Sequence, residues 1–210
     1  MLFRSPEADP TGGRSDSAYY GPLTGLAGAA APDWPRAPGP RVFVYLPFDR
    51  ASAAPLAAAL GARGWPVIWV CAALPAFALP GNIHHETEPI DIGRALREAT
   101  VFAGRGAHGS SLDALRAGCP QLLAPDTLET RTTALAIAAC GLGRLVPAWD
   151  SAAFGGCLDA LAAADAPEHA ACAAAAARHA DYDAVAASLR LGRDLAAALR
   201  LDTVAALRFD

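Results

Sequence analysis

The sequence predicts an α/β fold: a parallel sheet of about six strands, helices on both faces, and a helical C-terminal tail. Three observations carry this. Short β-branched and aromatic runs alternate with Ala/Leu-rich stretches of helical length from residue 41 to residue 150. Glycines close the helical stretches, at Gly64, Gly118 and Gly141. Strand–helix–strand repetition implies right-handed crossovers, and therefore parallel strands covered on both faces.

Each element has its own signal. Residues 41–46 (RVFVYL) read as a buried strand, and residues 51–62 as a helix stopped by Gly64. Residues 66–70 (PVIWV) form a second strand and residues 82–86 (NIHHE) a weaker third. Asp91 is placed to cap a helix running to Ala99. Residues 100–103 (TVFA) are the fourth strand, followed by a glycine-rich turn and a helix over 110–117. Residues 121–124 (QLLA) make the fifth strand, 129–140 a helix and 144–147 (RLVP) the sixth strand. Beyond Ser151 the chain is helical, over 151–164, 167–179 and 182–200, with Val185, Leu189, Leu195 and Leu199 near helical spacing in the last.

Composition narrows the function. Hydrophobic residues make up 53% of the 210, so disorder over most of the chain is excluded. All 17 basic residues are arginines, scattered along a chain of net charge −4, which leaves no nucleic-acid footprint. Cys71, Cys119, Cys140, Cys157 and Cys172 have no C-x-x-C spacing and sit among apolar neighbours, as small core residues of a reducing compartment do. No apolar run reaches the roughly 18 residues of a membrane span. Arg4, Glu7 and Asp9 interrupt the start, which does not resemble a signal peptide. The chain reads as soluble and cytoplasmic.

Residues 1–40 differ from the rest. They are rich in Pro, Gly, Ser and Asp, as in Gly21-Pro22 and the run over 37–40, which is linker chemistry. Tyr19, Tyr20 and Trp34 within them need a surface to lie on. The predicted organisation is a linker over 1–40, an α/β domain over 41–178 and a helical extension over 179–210.

The most informative segment is TVFA-GRGAHGSS-LDALRAG, residues 100–118. A strand enters a turn with Gly104, Gly106 and Gly109, and a helix opens with Ser110 and Ser111. Glycines allow close backbone approach, and a new helix offers free amides and a dipole that favour an anion. The hydroxyls of Ser110 and Ser111 add donors, while Arg105 and His108 add positive charge. A phosphate site is the sharp reading, and a tight turn with a serine cap is the plainer one. The glycines also spell G-x-G-x-x-G, and Asp126 stands where a dinucleotide-binding fold keeps its acid, although such a turn ordinarily follows a first strand.

From Arg105 the sequence runs R-G-x-H-G-S-S-L-D-A-L-x-A-G-C-P-Q-L-L-A-P, then Glu129, Ala134 and Gly141-Leu142-Gly143. This resembles the nucleotide-sugar glycosyltransferases of the UDP-glucuronosyltransferase and macrolide-glycosyltransferase type, in a bacterial branch. Tyr20-Gly21-Pro22 and Asp33-Trp34-Pro35 resemble that family's linker, so the resemblance covers roughly residues 15–150. It implies the C-terminal, donor-binding, Rossmann-like domain of a two-domain GT-B enzyme, with residues 1–40 holding a remnant of the N-terminal domain. It also implies that Gly106, Gly109, Ser110 and Ser111 contact a diphosphate, Asp113 the ribose hydroxyls and Glu129 the sugar hydroxyls. Four positions depart from the pattern. Arg105 replaces the motif histidine with a permanent charge, Ala107 replaces a glycine, His108 is an extra imidazole, and Thr130 replaces a glutamine beside the sugar. The base-recognition segment is thin, its nearest match being Thr87-Glu88-Pro89-Ile90.

Other polar groups are weighed against plainer roles. A strand points His84 and His85 to opposite faces, away from a shared ion, and no metal is expected. His169 and His179 fall on Ala-rich helices and read as surface residues. Asp49 either faces the ligand cleft or caps the following helix. Trp65 and Trp69 belong to the core.

The expected function is the donor-binding half of a glycosyltransferase that moves a sugar from a nucleotide-diphosphate sugar to an acceptor hydroxyl. The nucleotide sugar is a substrate and no cofactor is implied. The family's catalytic base lies in its other domain, so none is assigned here, and the acceptor side falls to a separate domain or chain. The alternatives are a degenerate donor domain that docks a partner or self-associates and, third, an NAD-dependent oxidoreductase.

Overall fold

The computed structural model describes residues 6–9, 30–181 and 183–198. Tyr19, Tyr20, Gly21-Pro22 and Leu199 lie outside the described residues. The elements are β1 (Val42–Tyr45), α1 (Ala53–Arg63), β2 (Val67–Val70), β3 (Ile83–Glu86), α2 (Ile92–Glu98), β4 (Val101–Gly104), α3 (His108–Ala117), β5 (Gln121–Leu123), α4 (Leu128–Ala139), β6 (Gly143–Leu145), α5 (Ser151–Ala162), α6 (Pro167–Arg178) and α7 (Ala184–Ala198). A short 3-10 turn, Pro6–Ala8, precedes them.

All six strands are parallel, in the order β3-β2-β1-β4-β5-β6. The chain therefore winds outward from β1 in one direction, returns to β4 beside it, and winds outward in the other. That reversal makes a topological switch point at the carboxyl ends of β1 and β4, where Tyr45 pairs with Gly104. The central strands β1, β2 and β4 alternate their apolar side chains between two helical layers. Val42, Val44, Trp69 and Ala103 point into the core shared with α1 and α5. Phe43, Ile68 and Phe102 point into the opposite core, with Leu96 of α2 and Ala114 of α3. A third cluster joins α3, α4 and α6 through Leu112, Ile137 and Cys172. Sequence runs without alternating polarity are the expected mark of strands buried on both faces.

The caps follow the chemistry of the residues present. Gly64 and Gly118 end their helices at φ 63° and 72°, where a side chain would clash with its own backbone. The Asp91 carboxylate accepts the Arg94 amide at the start of α2, as its position predicts. Arg144 of β6 donates two hydrogen bonds to the Glu168 carboxylate, 2.6 and 3.2 Å, and so ties the last strand to α6.

Several residues differ from expectation. His169 and His179 are half-buried rather than on the surface, because each ring finds an acceptor: the Leu161 carbonyl at 2.9 Å and the Glu7 carboxylate at 3.3 Å. Cys119 and Cys172 are core residues, whereas Cys140 is exposed, since it ends α4 where the helix meets solvent. Trp69 is fully buried with its indole N–H on the Leu46 carbonyl, while Trp65 is only half-buried. Trp34 has its surface: the indole N–H bonds Glu98 and the Arg41 guanidinium lies over the ring. Among the described residues no helix is long and apolar enough to cross a membrane.

Candidate functional site

The sequence places its chemistry at the carboxyl end of β4. The strand closes at Gly104, Arg105 leaves it, and Gly106 turns the chain at φ 80°. Only glycine suits that turn, for a second reason besides φ. A Cβ on Gly106 would stand 2.8 Å from the Thr130 carbonyl oxygen and 3.0 Å from the Ala134 side chain, so the turn lies flat against α4. Ala107 is then the N-cap of α3.

Alanine has no side-chain acceptor for the first helical amides, and no side-chain cap bond is made. The first bond into the helix runs from Ser111 N–H to the Ala107 carbonyl, 3.0 Å. The Gly109 and Ser110 amides meet no acceptor among the described residues. A helix start left in this state presents donors and the positive end of its dipole outward. The helix opens two residues earlier than the serines suggest, at His108, so His108 and Gly109 are its first turn. The Ser110 hydroxyl sits in that turn, donating to the Ala107 carbonyl at 3.2 Å. Ser111 is fully buried, its hydroxyl enclosed beneath the turn and its amide engaged with Ala107. Asp113 is half-buried further along α3.

The acidic side of the site begins on α4. Glu129 stands in its first turn, exposed. Thr130 has the opposite surroundings. Its hydroxyl accepts the Asp126 and Thr127 amides, 3.2 and 3.0 Å, while the Thr127 hydroxyl accepts the Thr130 amide in return. This is a reciprocal capping box, and it holds Thr130 buried.

Arg105 adds the permanent charge. Its Nη1 lies 3.5 Å from the Asp126 Oδ1, and about a third of its side chain faces solvent. Asp126, the acid considered for a dinucleotide ribose, instead stands between Arg105 and Arg50, whose Nε is 3.3 Å from Oδ2. Asp49 neither caps α1, whose N-cap is Ser52, nor lies buried in the cleft; it is exposed and pairs with Arg50 at 3.2 Å.

Beside the turn is a cavity of about 540 Å³, within the range of small-molecule sites. It runs along the carboxyl ends of four adjacent strands, lined by residues 45–47, 70–73, 87–90, Ile92, Arg105 and Ala107. Its walls are mostly aliphatic. Thr87-Glu88-Pro89-Ile90, the nearest sequence counterpart of a base-recognition segment, lines it. Sequence reasoning missed Tyr45, whose ring is exposed at the last position of β1, and Arg50. The signal for Tyr45 was its place at the end of the first strand; Arg50 lies in the loop that follows. His84 bonds the Glu86 carboxylate at 2.9 Å and His85 the Cys71 carbonyl at 2.7 Å; no metal-holding group of three such side chains occurs among the described residues.

No protein-family model matches this sequence, and no curated protein matches it. Solved structures do resemble its fold. The calicheamicin glycosyltransferase CalG4 is 23% identical with a TM-score of 0.69, over 86% of this chain and 49% of that one. The glycosyltransferase SnogD from Streptomyces nogalater is 23% identical with a TM-score of 0.65, over 85% and 50%. The glycosyltransferase VinC, solved in complex with dTDP, is 19% identical with a TM-score of 0.65, over 86% and 50%. The chain spans about half the length of each, and its fold is that of about half of a GT-B glycosyltransferase.

Proposed function

We propose that this chain is the donor-binding half of a glycosyltransferase and holds a nucleotide-diphosphate sugar for transfer to an acceptor hydroxyl. The observation that carries the reading is the open start of α3, where the Gly109 and Ser110 amides have no acceptor among the described residues, beside a nucleotide-sized cavity at the switch point. The aliphatic cavity takes the base, with Asp113 on the ribose side. The α3 amides, the Ser110 hydroxyl and Arg105 take the diphosphate. The exposed Glu129 offers two acceptor oxygens to adjacent sugar hydroxyls. As the bond from sugar to diphosphate breaks, negative charge builds on the leaving oxygens, and donors already fixed in place stabilise it without reorganising. Gly106 and Thr130 support this from behind, where the turn packs on the start of α4. The acceptor and the base that deprotonates it fall to another domain or chain, in keeping with relatives in which this fold is about half of the molecule.

Calorimetric titration with UDP and dTDP, and with their sugar conjugates, tests the reading. The expected result is binding of at least one diphosphate, weakened about tenfold or more in Arg105→Gln through loss of a charge-assisted contact, with uridine or thymidine binding unchanged. No heat from any of them at millimolar concentration refutes donor binding. A second reading, a donor-type module that docks a partner without turnover, is favoured by one observation: the Thr130 hydroxyl is engaged in the capping box, where a glutamine would be free to reach the sugar. Nucleotide binding without sugar discrimination, UDP equal to UDP-sugar, is its signature.

A further inference from the structure

The loops after β1, β4 and β5 meet on a single carboxylate. Asp126 is nine-tenths buried, and its own backbone is held by the Thr130 hydroxyl at the start of α4. Its Oδ1 faces Arg105 at 3.5 Å and its Oδ2 faces Arg50 at 3.3 Å. The Arg50 Nε and Asp126 Oδ2 are both shielded from solvent, yet neither makes a hydrogen bond within the protein, so the two lie face to face as charges only. Each guanidinium carries five donors in a rigid fork, and about a third of each side chain stays open to solvent. Two guanidinia on one buried carboxylate leave a positive excess. The fourth charge of the group, Asp49, is 74% exposed, where water and salt screen it.

This arrangement has more cation than a turn with a single arginine needs. A nucleoside diphosphate presents two anionic phosphates side by side. Resting on the donor-binding reading above, we infer that Arg50 is a second diphosphate-binding guanidinium, and that Asp126 is a positioning residue that aims Arg50 and Arg105 together at the α3 start. A shared carboxylate suits the task because its charge draws both guanidinia to one place while leaving their donors to a ligand.

The test uses the full chain, titrated with UDP, dTDP and inorganic pyrophosphate, with uridine and thymidine as controls and thermal melting alongside. Arg50→Gln is expected to lose about tenfold in affinity for all three anions that the parent binds, with nucleoside binding unmoved. Arg50→Lys, which keeps the charge but not the fork, recovers part of the loss; if Arg50→Gln fails to fold, Arg50→Lys carries the test and must still bind more weakly than the parent. Asp126→Asn decides the second half, because the two explanations have opposite signs. Removing a negative charge by itself tightens an anion, whereas freeing two arginines from their alignment weakens it. Weaker binding at an unchanged melting temperature supports positioning, and tighter binding overturns it. Anion affinity unchanged in Arg50→Gln overturns the Arg50 assignment alone and leaves the donor reading standing. A parent chain that binds none of the three anions overturns both.

Discussion

Gly106 carries the heaviest constraint in the site. Its φ of 80° costs a side-chain-bearing residue about 1–2 kcal/mol. The added Cβ would also meet the Thr130 carbonyl oxygen at 2.8 Å, a backbone atom that cannot swing aside. Gly106→Ala is therefore expected to lower stability by roughly 2–5 kcal/mol, strain and overpacking together, and to weaken diphosphate binding by displacing the α3 amides. Urea denaturation checks the first effect, and an unchanged midpoint contradicts it. Arg105 shows a residue legible for its charge but not for its company. A permanent cation in a glycine-rich turn is readable from the sequence; that it shares Asp126 with Arg50 depends on three loops converging, which no local pattern encodes.

Among the elements, α4 separates a structural role from a ligand role. Thr130 stands where a sugar-contacting glutamine is expected, yet its hydroxyl closes the capping box of its own helix. Thr130→Val, which keeps the shape and removes the hydroxyl, is expected to cost about 1–2 kcal/mol in a thermal melt and to weaken UDP binding only as far as it loosens Asp126, whose amide that hydroxyl accepts. A loss of UDP affinity with no loss of stability contradicts the capping role. The elements themselves were largely legible. The strands at 41–46, 66–70 and 100–103 stood out because burial on both faces makes them continuously apolar, and glycine marked the ends of α1 and α3. The start of α3 was less so, because the serines look like caps. The actual cap, Ala107, is chemically silent, and that silence leaves the amides open.

At the scale of the whole molecule, the last strand and α6 are joined by the Arg144–Glu168 pair. The hydrogen bond from Arg144 holds the Glu168 carboxyl below its ordinary range, against burial, which pushes it upward. A depressed carboxyl contributes stability in full above its unfolded pKa of about 4.3 and loses it as pH falls through the folded value. Glu168→Gln is therefore expected to melt below the parent at neutral pH, with the gap narrowing as pH falls from about 5 towards 2. A gap independent of pH in melting experiments contradicts it. Strand alternation predicted the parallel sheet and its two helical layers. The strand order was not legible, because it follows from which crossovers pack back on which side of β1. The cavity was likewise hidden: it is assembled from the ends of four strands, and each contributes only a few residues.

The backbone contact between Gly106 and the first turn of α4 has a mechanical consequence. With only a hydrogen atom separating the turn from the Thr130 carbonyl, the two segments cannot approach each other further. Glu129 is built into the same first turn of α4 and so shares that contact. A shift of either segment towards the other would thus be passed on through this one contact.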